Sequence, residues 1–291
     1  MIRHLLFDCC ALKDTAPAWG EKFKARAAGA VETYLNVRKI IHYKQAFNGR
    51  KIIILRVGEN VYSPDEAMPW FSELEGVQFV ERKNDPFPGL REASEFDENL
   101  RLLESTSPDE AFFFAHSKGV SRSDPLERYA IRQWRDTMYD KCLKNPDKID
   151  KLLQTYACVG CYRTGGSPAG CPRATWHYPG TFFWIKSDRL FSKPDWDNIP
   201  KHRYAAEGFP GYTFEFEESA ALYKGTPMNL YMIAAPFICG NCGARYEGKQ
   251  RSRRKQVCPH CHKRQAKVDM DWLDAAELKS IEMAKHAVLG M

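Results

Sequence analysis

Two Cys-x2-Cys knuckles, Cys239–Cys242 and Cys258–Cys261, stand fifteen residues apart near the C-terminus. No other feature narrows so far what this chain can fold into. Four thiolates at this spacing suit one tetrahedral zinc ion, Zn2+. Gly240, Gly243 and Pro259 fit the tight turns that knuckles need. Four protein ligands leave no open coordination position, so the ion is structural rather than catalytic. A rubredoxin-like iron is the competing metal, and zinc is the cytosolic default. His260 and His262 are surplus to the ligand set. The spacing predicts a zinc ribbon over 237–268, followed by a helix in 269–291.

Charge concentrates on the same segment. The net charge is +6, yet residues 239–267 alone carry +8, the tail 268–291 carries −3, and 1–238 carries +1. Between the knuckles lie Arg245, Lys249, Arg251, Arg253, Arg254 and Lys255. Arg251, Arg253, Arg254 and Lys255 are candidates for contact with a nucleic-acid backbone. A solvated basic loop is the competing reading, since charge alone does not separate DNA from other anions. No apolar run approaches the ~18–20 residues a membrane helix needs. The N-terminus turns polar too soon for a signal peptide. A cytoplasmic setting without membrane contact is therefore expected. The ten cysteines then read as metal ligands and free thiols rather than disulfides.

Residues 1–236 read as one α/β domain. Apolar runs at 2–8, Lys51–Val57, Val77–Glu81 and Ala111–Ala115 (AFFFA) predict strands, with more near 156–162 and 180–186. Helical periodicity appears over 19–45, from Ser63-Pro64 onward, over 90–105 and from Asp124-Pro125 to about Leu143. This alternation implies a mostly parallel sheet with helices on both faces. In such sheets ligands sit beyond the C-terminal ends of strands, which is where His116-Ser117-Lys118-Gly119 follows AFFFA.

No P-loop, GxGxxG or GxSxG occurs, so ATPase, dehydrogenase and hydrolase-elbow readings lack support. Polar residues in aromatic surroundings remain. Arg128, Arg132 and Arg135 share a helix face, Trp176-His177-Tyr178 precedes a strand, and Glu207 lies in Ala-Ala-Glu-Gly-Phe-Pro-Gly. Cations beyond strand ends suit a diphosphate, and a carboxylate beside them suits deprotonation of an acceptor hydroxyl. A solvated arginine face and aromatic packing are the competing readings. Cys158 and Cys161 invite a second metal site, but a spacing of three on a straight strand separates their side chains.

The succession ERKNDPFPGLRE, AFFFAHSKGVSR, AIRQWRDTMY, WHYPGTFFWIKSDRLF and AAEGFPG resembles bacterial and phage glycosyltransferase-like proteins related to capsule and rhamnan-synthesis transferases. The resemblance covers about 77–224. It implies a GT-A-like (Rossmann-like) fold and transfer of a sugar from a nucleotide-sugar donor to a hydroxyl. It implies that His116 and Lys118 lie near the donor diphosphate, with Arg132 and Trp134 beside them. It also implies that His177, Gly180 and Thr181 line the sugar site, and that Glu207 is the base of an inverting displacement. One departure concerns the divalent ion, such as Mn2+, that this fold commonly holds with a DxD. Here the corresponding place reads His-Ser-Lys, and the conspicuous DxD, Asp195-Trp196-Asp197, comes late in a Pro-flanked loop. Lys118 then stands where a metal's charge would. The basic ribbon makes a hydroxylated DNA base a candidate acceptor, as in a phage-type enzyme. A polysaccharide or lipid-linked glycan is the alternative, and a non-catalytic nucleic-acid-binding protein is the rival of another class.

Overall fold

The computed structural model describes residues 1–13, 28–85, 89–122, 124–224, 233–250 and 256–288. Chain order runs β1 (Ile2–Cys9), α1 (Ala28–His42), β2 (Lys51–Val57), α2 (Pro64–Ala67), β3 (Val77–Lys83), α3 (Phe96–Arg101), β4 (Glu110–His116), α4 (Pro125–Leu143) and α5 (Pro146–Leu153). It continues β5 (Cys158–Cys161), β6 (Thr164–Gly165), β7 (Trp176–His177), β8 (Phe183–Lys186), α6 (Ser187–Phe191), α7 (Ala205–Thr213) and β9 (Ser219–Tyr223). Last come β10 (Ile233–Cys239), β11 (Arg245–Gln250), β12 (Ala266–Val268) and α8 (Met270–Val288).

Seven strands form the main sheet in the order β3-β2-β1-β4-β8-β5-β9. The pairs β1–β2, β1–β4, β2–β3 and β5–β9 are parallel, while β8 runs antiparallel to both neighbours. This is the expected mostly parallel α/β arrangement. The uninterrupted apolar runs follow from coverage on both faces. Within AFFFA, Phe113 packs with α1, α4 and α5 on one face, while Phe112 and Phe114 pack with α3, α6 and α7 on the other. Each such side chain contributes about 1.5–3 kcal/mol on burial.

The reversed direction of β8 positions the site. Its register pairs Phe183 with Phe114 and Lys186 with Ala111. Its N-terminal approach, Gly180–Phe182, therefore meets the C-terminal end of β4.

Local signals set the helix starts. Asp124 accepts from the backbone N–H of Leu126 and Glu127 at 2.8 and 3.0 Å, with Pro125 in the first turn. Ser63 and Glu66 form a capping box at α2. The single helix expected over 90–105 is broken. Arg91–Ala93 is one 3-10 turn, Ser94 is extended, Glu95 is left-handed at φ 55°, and α3 starts at Phe96. The break is tertiary, because Arg56 Nη2 donates to the Ser94 carbonyl at 3.0 Å while that nitrogen and Nε grip buried Asp8. Of the helix expected over 19–45, residues 28–42 are helical, and Trp19, Phe23 and Ala27 lie outside the described residues.

The C-terminal strands form a separate antiparallel sheet, β11-β10-β12. Phe237 and Ala235 centre its small core, against which Leu126 of α4 packs. Helix α8 then returns to lie on α1 and α4. No helix of the described residues is long and apolar enough to cross a membrane.

Candidate functional site

The edge where β4 ends and β8 begins gathers residues from five segments. Hydrogen bonds from the Ser117 N–H to the Asp8 carbonyl (2.9 Å) and from the Cys10 N–H to Ser117 Oγ (3.0 Å) fasten the chain after His116 to β1. The Lys118 carbonyl accepts from Asn36 Nδ2 of α1 at 3.0 Å. Lys118 Nζ lies 4.2 Å over the Trp134 ring of α4. Burial pulls this ammonium below the ordinary lysine range, and the facing carboxylates of Glu207 and Glu92 oppose that pull.

Glu207 sits in the first turn of α7. Its Oε1 lies 3.8 Å from His177 Nε2 and accepts from the Gly180 N–H at 3.4 Å. Burial raises its pKa above the usual carboxylate range, against the charges of Lys118 and His177. His177 Nδ1 lies 2.8 Å from the Gly166 carbonyl. A carbonyl only accepts, so Nδ1 carries the hydrogen and Nε2 is the atom turned to Glu207.

Burial lowers the His116 pKa, against the smaller opposing pull of the Glu92 carboxylate, so neutral imidazole is favoured. Its Nδ1 is 4.0 Å from Glu92 Oε1.

Gly180 and Thr181 make a left-handed turn at φ 100° and 66°. A Cβ on Gly180 would stand 2.7 Å from Met138 Sδ and 3.1 Å from the Trp134 ring, so only glycine fits. Thr181 is 1% exposed. Holding it left-handed costs on the order of 1–3 kcal/mol, a strain typical of ligand-contacting segments. Of the eight buried side-chain polar atoms without a hydrogen-bond partner among the described residues, three lie in this cluster: His116 Nε2, Trp134 Nε1 and Thr181 Oγ1.

The structure thus brings together His116, Lys118, Trp134, His177, Gly180, Thr181 and Glu207. Arg132 is turned to another task. Its guanidinium binds Glu32 of α1 and lies 3.0 Å from Glu277 of α8. Arg135 also binds Glu32, at 3.1 Å, and Arg128 binds Glu277 at 3.2 Å. These arginines form neither a solvated face nor a display of cations to a ligand. Sequence reasoning missed Glu92, although it lies in the ERKNDPFPGLRE block. It also missed Asn36, whose contact with Lys118 spans 82 positions and leaves no local signal.

The cluster offers one primary cation, a buried carboxylate and an oriented imidazole around a rigid turn. It does not fit a divalent ion such as Mn2+, because the Lys118 ammonium within it is itself a cation and offers no lone pair. Among the described residues, no group of three candidate ligands forms there. In the late DxD, Asp197 pairs with Arg101, which stacks over the buried Trp196. Cys158 and Cys161 face opposite cores, and Cys161 Sγ meets Cys142 Sγ at 3.9 Å.

The four ribbon cysteines do fit a metal. The sulfurs of Cys239, Cys242, Cys258 and Cys261 lie within 4.8 Å of one another, with 3.6 Å between Cys239 and Cys261 and 3.8 Å between Cys242 and Cys258. A tetrahedron with Zn–S bonds of about 2.3 Å has edges of about 3.8 Å. The two knuckles repeat one design. The N–H two residues after the first cysteine, at Asn241 and His260, donates to its sulfur at 3.4 Å. The residue after the second cysteine is left-handed, Gly243 at φ 69° and His262 at φ 58°, and bonds back to the first cysteine's carbonyl. His262 is therefore a turn residue. A backbone N–H from Cys242 holds the Cys239 thiol down to about 6, ready to bind as thiolate. Of the loop cations, Arg245 is tied to Asp269 at 2.8 Å. Arg251, Arg253, Arg254 and Lys255 lie outside the described residues.

No family model matches the sequence, and no curated protein matches it. Two solved structures align loosely. One is a protein from Desulfovibrio desulfuricans G20, named provisionally as a nucleotide-diphospho-sugar transferase. It is 12% identical over 77% of this chain and 80% of that chain, at a TM-score of 0.37. The other is a 4-diphosphocytidyl-2C-methyl-D-erythritol synthase, 9% identical over 76% and 87%, at 0.32. At such scores neither likeness bears on what this chain does.

Proposed function

We propose that this chain is an inverting glycosyltransferase that uses a nucleotide-sugar donor. The observation that carries this reading is the convergence of Lys118, Glu207 and His177 on the left-handed Gly180-Thr181 turn, at the C-terminal edge of a mostly parallel sheet. In the reaction, Glu207 as carboxylate takes the proton of an acceptor hydroxyl. The acceptor oxygen bonds to the anomeric carbon as the bond from that carbon to the diphosphate breaks. The electron pair leaves on the diphosphate, and the Lys118 ammonium offsets that charge in place of a metal. His177, anchored by its Nδ1–H on the Gly166 carbonyl, keeps Nε2 beside Glu207, where a proton on Nε2 pairs with the carboxylate. The unpartnered donors Trp134 Nε1 and Thr181 Oγ1 suit the hydroxyls and phosphate oxygens of the donor. Arg132 is left out of this site.

The acceptor is proposed on charge alone: the basic stretch 239–267 suits a hydroxylated base in DNA, reached in single strands or by flipping. Replacing Arg251, Arg253 and Arg254 with Ala should flatten the salt dependence of DNA binding. An unchanged slope would favour a polysaccharide or lipid-linked acceptor.

The donor is tested by thermal shift of the zinc-loaded protein against UDP-, GDP-, ADP-, CMP- and dTDP-sugars, with and without manganese. A true donor at a hundred times its Kd adds about 2.7 kcal/mol, a visible shift. The proposal expects one nucleotide to act and manganese to change nothing. No shift with any donor would sink the enzyme reading and favour a non-catalytic nucleic-acid-binding protein.

A further inference from the structure

The C-terminal helix reaches the sheet-edge site through buried charges. Glu277 is 5% exposed, Glu32 1%, Arg128 5% and Arg135 3%. The path is continuous. The α8 N-terminus is tied to the ribbon by the Asp269 N–H donating to the Pro236 carbonyl (2.9 Å) and by Arg245 on Asp269 (2.8 Å). Two turns on, Glu277 binds both Arg128 and Arg132 of α4. Arg132 spans from Glu277 to Glu32 of α1. One turn beyond Glu32, Asn36 Nδ2 donates to the Glu32 carbonyl at 2.7 Å and to the Lys118 carbonyl at 3.0 Å, while Asn36 Oδ1 accepts from Tyr139. Trp134, over which Lys118 Nζ lies, sits between Arg132 and Arg135 on α4.

We infer that Glu277 is a positioning residue for the sheet-edge site: by binding Arg128 and Arg132 it sets α4 and α1 in the arrangement that places Lys118 against Trp134. The inference rests on the donor-site reading above. It gives the ribbon and α8 a role besides acceptor contact. They form a brace that the catalytic edge is built against, so loss of the ribbon's metal would be felt at Lys118. Among the described residues Arg128, Arg132 and Arg135 meet Glu32 and Glu277 in this layer, with Asp136 also on Arg135 at 2.9 Å. Removing the Glu277 charge strips Arg132 of one of the two carboxylates that hold it, and α4 then has reason to shift.

The test uses the full zinc-loaded chain carrying Glu277→Gln, with Glu277→Asp as the conservative rescue. Leu100→Ala, buried on the other face of the sheet, serves as a control of lowered stability. Two readouts are taken: the Kd of the donor found by the nucleotide-sugar panel, and the pH profile of Lys118 labelling by an amine-reactive reagent, followed by mass spectrometry. Glu277→Gln is expected to weaken donor binding about tenfold or more. It should also move the Lys118 profile upward toward an ordinary lysine, away from the facing Glu207, Glu92, Arg91 and Arg122. Glu277→Asp should recover most of both, and Leu100→Ala should change neither. A Glu277→Gln protein that folds, melts lower and keeps both readouts unchanged would overturn the inference. If that variant does not fold, Arg132→Lys, which keeps the charge but loses the two-sided fork, is judged by the same criteria. If no nucleotide sugar binds the unmodified protein, the donor reading has failed, and the labelling profile alone decides the brace.

Discussion

The ribbon and the sheet-edge site are both gatherings of polar side chains, built on opposite rules. The C-terminal cysteine cluster draws its four candidate ligands from two four-residue knuckles, and each sulfur has a set place. Both knuckles close with the same backbone bonds, and the ligand set is complete. The sheet edge draws Glu92, His116, Lys118, Trp134, His177 and Glu207 from distant segments. There the backbone is left-handed at Gly180 and Thr181, three buried polar atoms lack partners among the described residues, and Lys118 and Glu207 are shifted in opposite directions. A closed, satisfied site stabilises a fold. A strained one with displaced pKa values is where binding and proton transfer are to be sought.

The sharpest way to break this contrast is to remove the metal. A structural zinc site supplies about 10–16 kcal/mol of apparent binding energy. Chelation, or Cys258→Ser, should therefore abolish amide protection across 233–250 and 256–268, measured by hydrogen exchange, while β1, β2 and β4 stay protected. Loss of protection in those strands too would mean that the ribbon staples the whole fold. Next in size, Lys118→Met should lower turnover by about 10²–10³-fold, the usual loss for one charge-stabilising group. A tenfold loss or less would remove Lys118 as the counter-charge to the leaving diphosphate.

Gly180→Ala comes third. It demands a positive φ from alanine and drives a Cβ into Met138 and Trp134, so unfolding free energy should fall by about 1–3 kcal/mol in denaturant titration. An unaffected midpoint would show that the turn is not strained.

The strands and the ligand set were legible because each is a local pattern. AFFFA is apolar throughout because the sheet is covered on both faces, and paired Cys-x2-Cys is a spacing rule. The place of His116 and Lys118 was legible because they follow AFFFA at a strand's C-terminal end. The arginines of α4 were legible as cations but not as partners. Their carboxylates, Glu32 and Glu277, lie 100 and 145 positions from Arg132, and helical periodicity reports no contact at that range. For the same reason the break before α3, made by Arg56, was invisible.

Smaller effects refine the picture. Glu207 holds its proton to higher pH in the folded state than in the unfolded chain. The stability it contributes is present below an unfolded pKa of about 4.3 and is lost as pH rises through the folded value. Glu207→Gln should therefore melt above the unmodified protein at pH 7, and the gap should close toward pH 4. A lower melt at pH 7 would mean that its pairing with Lys118 and His177 outweighs burial. Asp197→Asn, at a half-exposed pair with Arg101, should cost no more than about 1 kcal/mol and leave donor binding untouched. Loss of donor binding would restore the late DxD as a candidate.

The most direct measurement compares the unmodified chain with Glu207→Gln for donor affinity and for nucleoside diphosphate release in the presence of acceptor. Removing a general base costs about 10²–10⁴-fold in rate. The account predicts that Glu207→Gln binds donor with an affinity within twofold of the unmodified chain but releases product at that reduced rate. Equal release from both proteins would contradict it, because the sheet edge would then bind a donor without Glu207 serving as the base.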